Sequence, residues 1–96
     1  MATQGKNFRK LERLIKGFAN HRRLHILFLL KNKPELSVEE VSKELNAGYM
    51  NISDHLRKMA ISGLVLKRTD GTKGNVVRHK LTPVAESILE FCKKLE

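Results

Sequence analysis

The chain has 96 residues and carries 19 Lys+Arg against 10 Asp+Glu, a formal net charge of +9. That length makes a single domain, residues 1–96, with a modest core of the kind that often gains stability from a partner, and the charge favours polyanions, nucleic acid first. The single cysteine, Cys92, excludes an internal disulfide, the longest near-apolar run (residues 26–30) is too short to cross a bilayer, and MATQGKNFRK is no secretory signal, so a reducing cytoplasmic setting without a membrane partner is expected.

Residues 1–6 are polar and expected to be disordered. Phe8, Leu11, Leu14, Ile15 and Phe18 recur at helical spacing and predict a first helix ending near residues 17–20. Asn20 suits the N-cap of a second helix through Leu30, whose apolar set Leu24, Leu27, Phe28 and Leu30 places it centrally in the core. Asn32-Lys33-Pro34 stops that helix, and Glu35-Leu36 reads as a short strand.

Ser37-Val38-Glu39-Glu40 is a capping box that opens a third helix, with Val41 and Leu45 as its apolar positions. Asn46-Ala47-Gly48 reads as a turn, with glycine supplying the backbone freedom a sharp turn needs. The next helix buries Ile52, Leu56 and Met59 and ends at Ser62-Gly63. Residues 64–69 and 75–81 are two β-rich runs joined by a glycine-containing loop, residues 70–74. Thr82-Pro83 starts a last helix (82–95) striped with Val84, Ile88, Phe91 and Leu95.

Residues 37–63 therefore read as a helix-turn-helix and residues 64–81 as a basic wing, which gives an α+β, mostly helical, winged helix-turn-helix with a two-stranded β wing. The second helix of the motif offers Tyr49, Met50, Asn51, Ser53, Asp54, His55, Arg57 and Lys58 to a DNA groove. Asn reads adenine, Asp accepts from cytosine, and Ser and Tyr contact bases or phosphates. The wing, with Arg68, Lys73, Asn75 and Arg78, would grip backbone or minor groove, and Arg22 at the start of the second helix would add a backbone contact. Charge is uneven. Residues 64–82 carry a net +4, whereas 37–63 carry Lys43, Arg57 and Lys58 against Glu39, Glu40, Glu44 and Asp54, a net −1. A near-neutral recognition unit is also what a protein-binding winged helix would show, and the blander reading of the wing cations is protection of an edge strand.

The order of elements and several local segments resemble the ArsR-type winged-helix repressors. The resemblance is carried by Phe18-Ala19-Asn20-His21-Arg22-Arg23-Leu24-His25-Ile26-Leu27, by Glu35-Leu36-Ser37-Val38-Glu39-Glu40-Val41, by Ile52-Ser53-Asp54-His55-Leu56-Arg57, and by Ser62-Gly63-Leu64-Val65. Leu81-Thr82-Pro83 is similar to the wing exit of MarR-type and HxlR-type regulators. The resemblance implies a DNA-binding transcription regulator, a repressor, that dimerises through its first and last helices. Metal-sensing members carry cysteines in the first helix of the motif or His and acidic ligands on the last helix. This chain has neither set, so no metal and no cofactor are expected.

The end helices are short, and the last shows more apolar surface than one packing stripe needs, so Phe8, Leu11, Ile15, Ile88, Phe91, Cys92 and Leu95 are the expected homodimer interface. A two-fold dimer predicts an inverted-repeat site on double-stranded DNA. His21 and His25 have the spacing of a helical metal pair but lack an adjacent third ligand, and read as surface histidines. No phosphate-binding glycine loop or nucleophile signature is present, so an enzyme is not expected. Two alternatives stand beside the regulator: a winged helix for protein–protein contact in a transcription-related assembly, and a sequence-neutral architectural DNA binder.

Overall fold

Each helix of the fold starts where the backbone can be capped, with one exception. The computed structural model describes residues 7–69, 71, 74 and 76–96. The expectation for residues 1–6 and most of the hairpin loop, with Lys73 and Asn75, lie outside the described residues. Helix α1 (Phe8–Phe18) is capped by Asn7, which accepts from the Lys10 amide at 3.0 Å. Helix α2 (His21–Asn32) is capped by Asn20, which accepts from the amides of Arg22 and Arg23. Helix α3 (Val38–Leu45) begins with the expected reciprocal box: the Glu40 amide donates to Ser37 Oγ at 3.2 Å, and the Ser37 amide donates to Glu40 Oε1 at 2.9 Å. Helix α5 (Pro83–Leu95) has Thr82 at its cap and Pro83 in its first turn. The exception is helix α4 (Tyr49–Ile61), whose cap residue Gly48 provides no side-chain partner.

The turn into α4 differs from expectation. Its left-handed residue is Asn46 (φ 50°), whereas Gly48 is extended (φ −65°, ψ 139°). Asparagine is among the few non-glycine residues that tolerate this conformation. At the far end of α4, Gly63 does adopt a positive φ of 81°. There the Leu64 amide bonds the Met59 carbonyl and the Gly63 amide bonds that of Ala60, a pattern that ends a helix sharply.

Strands β1 (Val65–Thr69) and β2 (Val77–Leu81) pair antiparallel, in the register Val65–Leu81, Lys67–His79 and Arg68–Arg78. The short strand expected at 35–36 is one residue long. Leu36 exchanges backbone hydrogen bonds with His79 and extends the wing at its base. Glu35, just before it, carries a φ of 64°.

One core holds these elements together. Ile26, Leu27 and Leu30 of α2 meet Val41 of α3, Ile52, Leu56 and Met59 of α4, and Ala85, Ile88 and Leu89 of α5. Helix α2 is central, as expected, but Ile26 is fully buried while Leu24 and Phe28 are only partly so. Gly17 is buried where α1 crosses the end of α4. A Cβ there would lie 2.4 Å from Ser62 Oγ.

Candidate nucleic-acid interface

Helix α4 is pinned on one side and open on the other. Ile52, Leu56 and Met59 have no exposed surface, whereas Tyr49 is 54% and Met50 79% exposed, and Asn51 is also exposed. With no side chain capping it, the first turn of α4 offers free amides and the positive end of the helix dipole to solvent. Such an end favours phosphate or another anion. Arg57 and Lys58 are exposed further along the helix, and Ser53 and Asp54 are half-buried.

The acids that make the motif near-neutral are mostly engaged. Asp54 receives Arg57 at 2.6 Å and Lys58 at 3.2 Å, which hold its carboxyl below the usual range. Glu44 pairs with Lys33 at 2.7 Å. Glu40 accepts from the Ser37 amide and from Arg78 at 2.8 Å, and both contacts lower its pKa, the backbone bond most. Exposed pairs of this sort contribute little stability, but they remove bare negative charge from the face.

The wing arginines face each other across the strands, an arrangement that like charge would destabilise. Each is directed to a carboxylate. Arg68 donates through Nε to Glu35 at 2.7 Å, and Arg78 reaches both Glu40 and the Glu35 carbonyl. Arg78 thus joins the base of the wing to the start of α3, while Lys67 and Lys80 are exposed. The capping box signalled Glu40 as a cap, but nothing local signalled its second partner.

His55 turns inward. Its Nδ1 accepts from Arg23 Nε at 3.1 Å, and Arg23 also donates to the carbonyls of Lys16 and Gly17 at the end of α1. Burial and the neighbouring guanidinium lower the His55 pKa. Arg23 therefore ties α1, α2 and α4 together, a role the sequence reading missed because its partners lie far off in the chain. Arg22 is half-buried in the same first turn. His79, also unforeseen, is 2% exposed with Nδ1 3.1 Å from the Leu36 carbonyl.

On the end helices, Phe8, Leu11 and Ile15 of α1 and Val84, Phe91 and Leu95 of α5 are exposed, each by 42% or more. Ile88 instead faces the core of its own chain at 9%, and Cys92 is half-buried. His21 and His25 are exposed. Among the described residues no cluster of three or more His, Cys, Asp or Glu side chains suits a metal ion, and no helix is long and apolar enough to cross a membrane.

The model of the family described as "Bacterial regulatory protein, arsR family" matches residues 20–67, which run from the cap of α2 to the middle of β1. The chain belongs to the ArsR family. It is 42% identical over 65 residues to the transcriptional activator HlyU of Vibrio cholerae; the alignment spans 68% of this chain and 59% of that protein. The solved structure of HlyU from Vibrio cholerae superposes with a TM-score of 0.78 at 33% identity, covering 96% of this chain and 97% of that one. A homodimeric winged helix-turn-helix DNA-binding domain from Mycobacterium bovis superposes with a TM-score of 0.78 at 24% identity over 92% of this chain and 79% of its own, a likeness of fold. The ArsR family and HlyU are regulators, not enzymes, in line with the expectation from sequence.

Proposed function

We propose that this ArsR-family chain is a homodimer that binds an inverted repeat in double-stranded DNA and regulates transcription. The uncapped, exposed first turn of α4 carries the reading. Tyr49, Met50 and Asn51 enter the major groove, and the free amides receive a phosphate. Asp54, Arg57 and Lys58 extend the contact along α4, where Arg57 and Lys58 exchange Asp54 for phosphate as the groove closes. The wing lies over the flanking backbone through Lys67, Lys80 and Arg68, with Lys73 and Asn75 at its loop. Arg78 sets the wing's angle through Glu40. Arg23 supports the helix from behind through His55, and Arg22 at the start of α2 adds a backbone contact. The exposed stripes of α1 and α5, centred on Phe8, Leu11, Ile15, Phe91 and Leu95, form the dimer seam, with Cys92 beside it.

The similar protein HlyU is named an activator, whereas ArsR-type resemblance implies repression. The same unit serves both outcomes, and this chain represses where its site overlaps a promoter. The cytoplasm is the compartment in which such a regulator works.

Selection of bound duplexes from a random 30-base-pair pool, at about 150 mM salt where non-specific binding is suppressed, tests the proposal. Enrichment of an inverted repeat is the expected result. Retention without enrichment would make the chain an architectural binder. No retention would favour the protein-contact reading, for which Leu66 and Val77, exposed apolar residues on the wing, are the specific observation.

A further inference from the structure

Met50 is the most exposed large apolar side chain among the described residues, at 79%, and it takes no part in the core. It stands in the first turn of α4, just after the side-chain-free cap Gly48. Helical spacing puts Met50, Asp54 and Arg57 on one stripe, opposite the fully buried Ile52, Leu56 and Met59. Met50 therefore projects away from the body of the protein. Its neighbour Tyr49 instead lines a hollow of about 460 Å³ with Ser37, Val38 and Val77, between the starts of α3, α4 and β2. The end helices meet α4 at its other end. Gly17 of α1 lies against Ser62, and Thr82 at the cap of α5 donates to the Gly63 carbonyl. Ser62 is about 18 Å further along the helix axis than Met50, so a dimer made through α1 and α5 leaves Met50 free.

The chemistry around Met50 narrows what it meets. Residues 49–55 hold no Lys or Arg, and the two cations that follow, Arg57 and Lys58, are drawn onto Asp54 at 2.6 and 3.2 Å. Guanine is most often read by a bidentate Arg or Lys, so the front of α4 is poorly equipped for G·C pairs. Phosphates and polar base edges offer nothing to an apolar side chain. The major groove displays one alkyl group, the 5-methyl of thymine. Methionine suits it, because the side chain is unbranched, polarisable and adapts its shape to a small apolar contact.

We propose that Met50 is a specificity-determining residue that packs on the 5-methyl group of a thymine in each half-site. Recognition at that base pair then depends on the methyl carbon, not on pairing or charge. The inference rests on the major-groove reading of α4 proposed above and adds the group that is read. Asn51, next in the chain, matches the edge of adenine, so the two side chains together select A·T pairs at the front of the helix.

The test uses the whole chain and the duplex enriched from the random pool. Each thymine is replaced in turn by deoxyuridine, which pairs in the same way and lacks only the methyl. Affinity is read by fluorescence anisotropy at about 150 mM salt. At one thymine per half-site the replacement is expected to weaken binding about fourfold, the worth of one buried methyl, and about fifteenfold when both half-sites are changed. Met50→Ala, at an exposed helix position, is expected to bind thymine and uracil duplexes alike, with helicity unchanged by circular dichroism. Met50→Leu, which keeps an apolar tip, is expected to retain most of the discrimination. Tight binding of the parent duplex with no sensitive thymine would overturn the methyl contact and leave the DNA-binding reading intact. A uracil penalty that persists in Met50→Ala would overturn the assignment to Met50. A pool that enriches no duplex would overturn both readings, since no base is then read.

Discussion

Arg23 and His55 are 32 residues apart, yet the Arg23 Nε–H donates to His55 Nδ1 over 3.1 Å and fixes the start of α2 against the middle of α4. The bond requires a neutral imidazole. A charged one has no lone pair on Nδ1 and would set a second positive charge against the guanidinium. The other charged side chains near His55 are Arg22 on α2 and Asp54 and Lys58 on α4; Asp54 is the one that favours protonation, and burial and the cations prevail.

Stability should therefore fall in mild acid. The folded-state pKa of His55 is lowered from 6.5, and so is that of the buried His79, there chiefly by burial. The unfolded chain takes up these protons first as pH drops. The stabilisation is fully present above pH 6.5 and is lost as pH falls through the folded-state values. Thermal unfolding from pH 8 to 5 should show a declining midpoint, and His55→Gln, which keeps an acceptor but does not titrate, should flatten part of the decline. A midpoint independent of pH would remove both histidines as determinants.

Gly17→Ala should destabilise the fold despite the helix propensity of alanine. The substitution gains up to about 1 kcal/mol in an unconstrained helix. Here the new methyl would sit 2.4 Å from Ser62 Oγ and 2.6 Å from its Cβ. Overpacking of this kind costs about 1–3 kcal/mol, so the clash outweighs the propensity. Removing the obstacle in Gly17→Ala/Ser62→Gly should recover much of the loss in urea denaturation. If Gly17→Ala alone stabilises the protein, α1 does not cross α4 this closely.

These two contacts also show which parts of the structure were legible in the sequence. The caps at Asn20, Ser37 and Thr82 and the end at Gly63 are local signals, written within four residues of where they act. The buried faces of α3 and α4 follow from periodicity alone. Arg23–His55, Arg78–Glu40 and Gly17–Ser62 have no local signature, because the fold brings together segments that carry no mark of each other. The turn was misread for a different reason: Ala47-Gly48 invited glycine to be the left-handed residue, but Asn46 occupies that position by bonding back to Lys43. The paired state of Asp54 was open to inference, since Arg57 and Lys58 lie three and four residues ahead of it.

Asn51 and Lys80 should separate reading from gripping. Asn51 is exposed on the first turn of α4, and its amide matches the edge of adenine. Asn51→Ala should cost about 1–3 kcal/mol on the selected site and far less on random duplex. Lys80 is exposed on the wing, with no acidic partner among the described residues. Lys80→Ala should weaken both duplexes alike and reduce the salt slope by about one unit. Arg78→Ala, by contrast, should lower the unfolding midpoint as well as affinity, because it frees the wing from Glu40. Equal losses on selected and random DNA for Asn51→Ala would remove it as a reader.

Phe91→Asp should convert dimers to monomers. Phe91 is 56% exposed on α5, with Leu95 at 70% beyond it and Phe8 and Ile15 likewise open on α1. Apolar area of that extent on a short chain is stabilised by covering it, at roughly 25 cal/mol per Å². Four such side chains from each copy would bury a patch of the kind that marks protein contact sites. A carboxylate at the centre of that patch would be buried among apolar side chains when two copies meet, and burying a charge there is strongly unfavourable. Light scattering should give twice the chain mass for the parent protein and the single-chain mass for the variant. The variant should also lose selectivity for paired half-sites, because one α4 then reads one groove. Ile88→Asp is the contrasting substitution: at 9% exposure it sits in the core of its own chain, and it should unfold the protein rather than merely separate two copies. If Phe91→Asp keeps the parent mass and the parent site preference, the seam lies on another face, and the exposed stripes of α1 and α5 must be covered by something else.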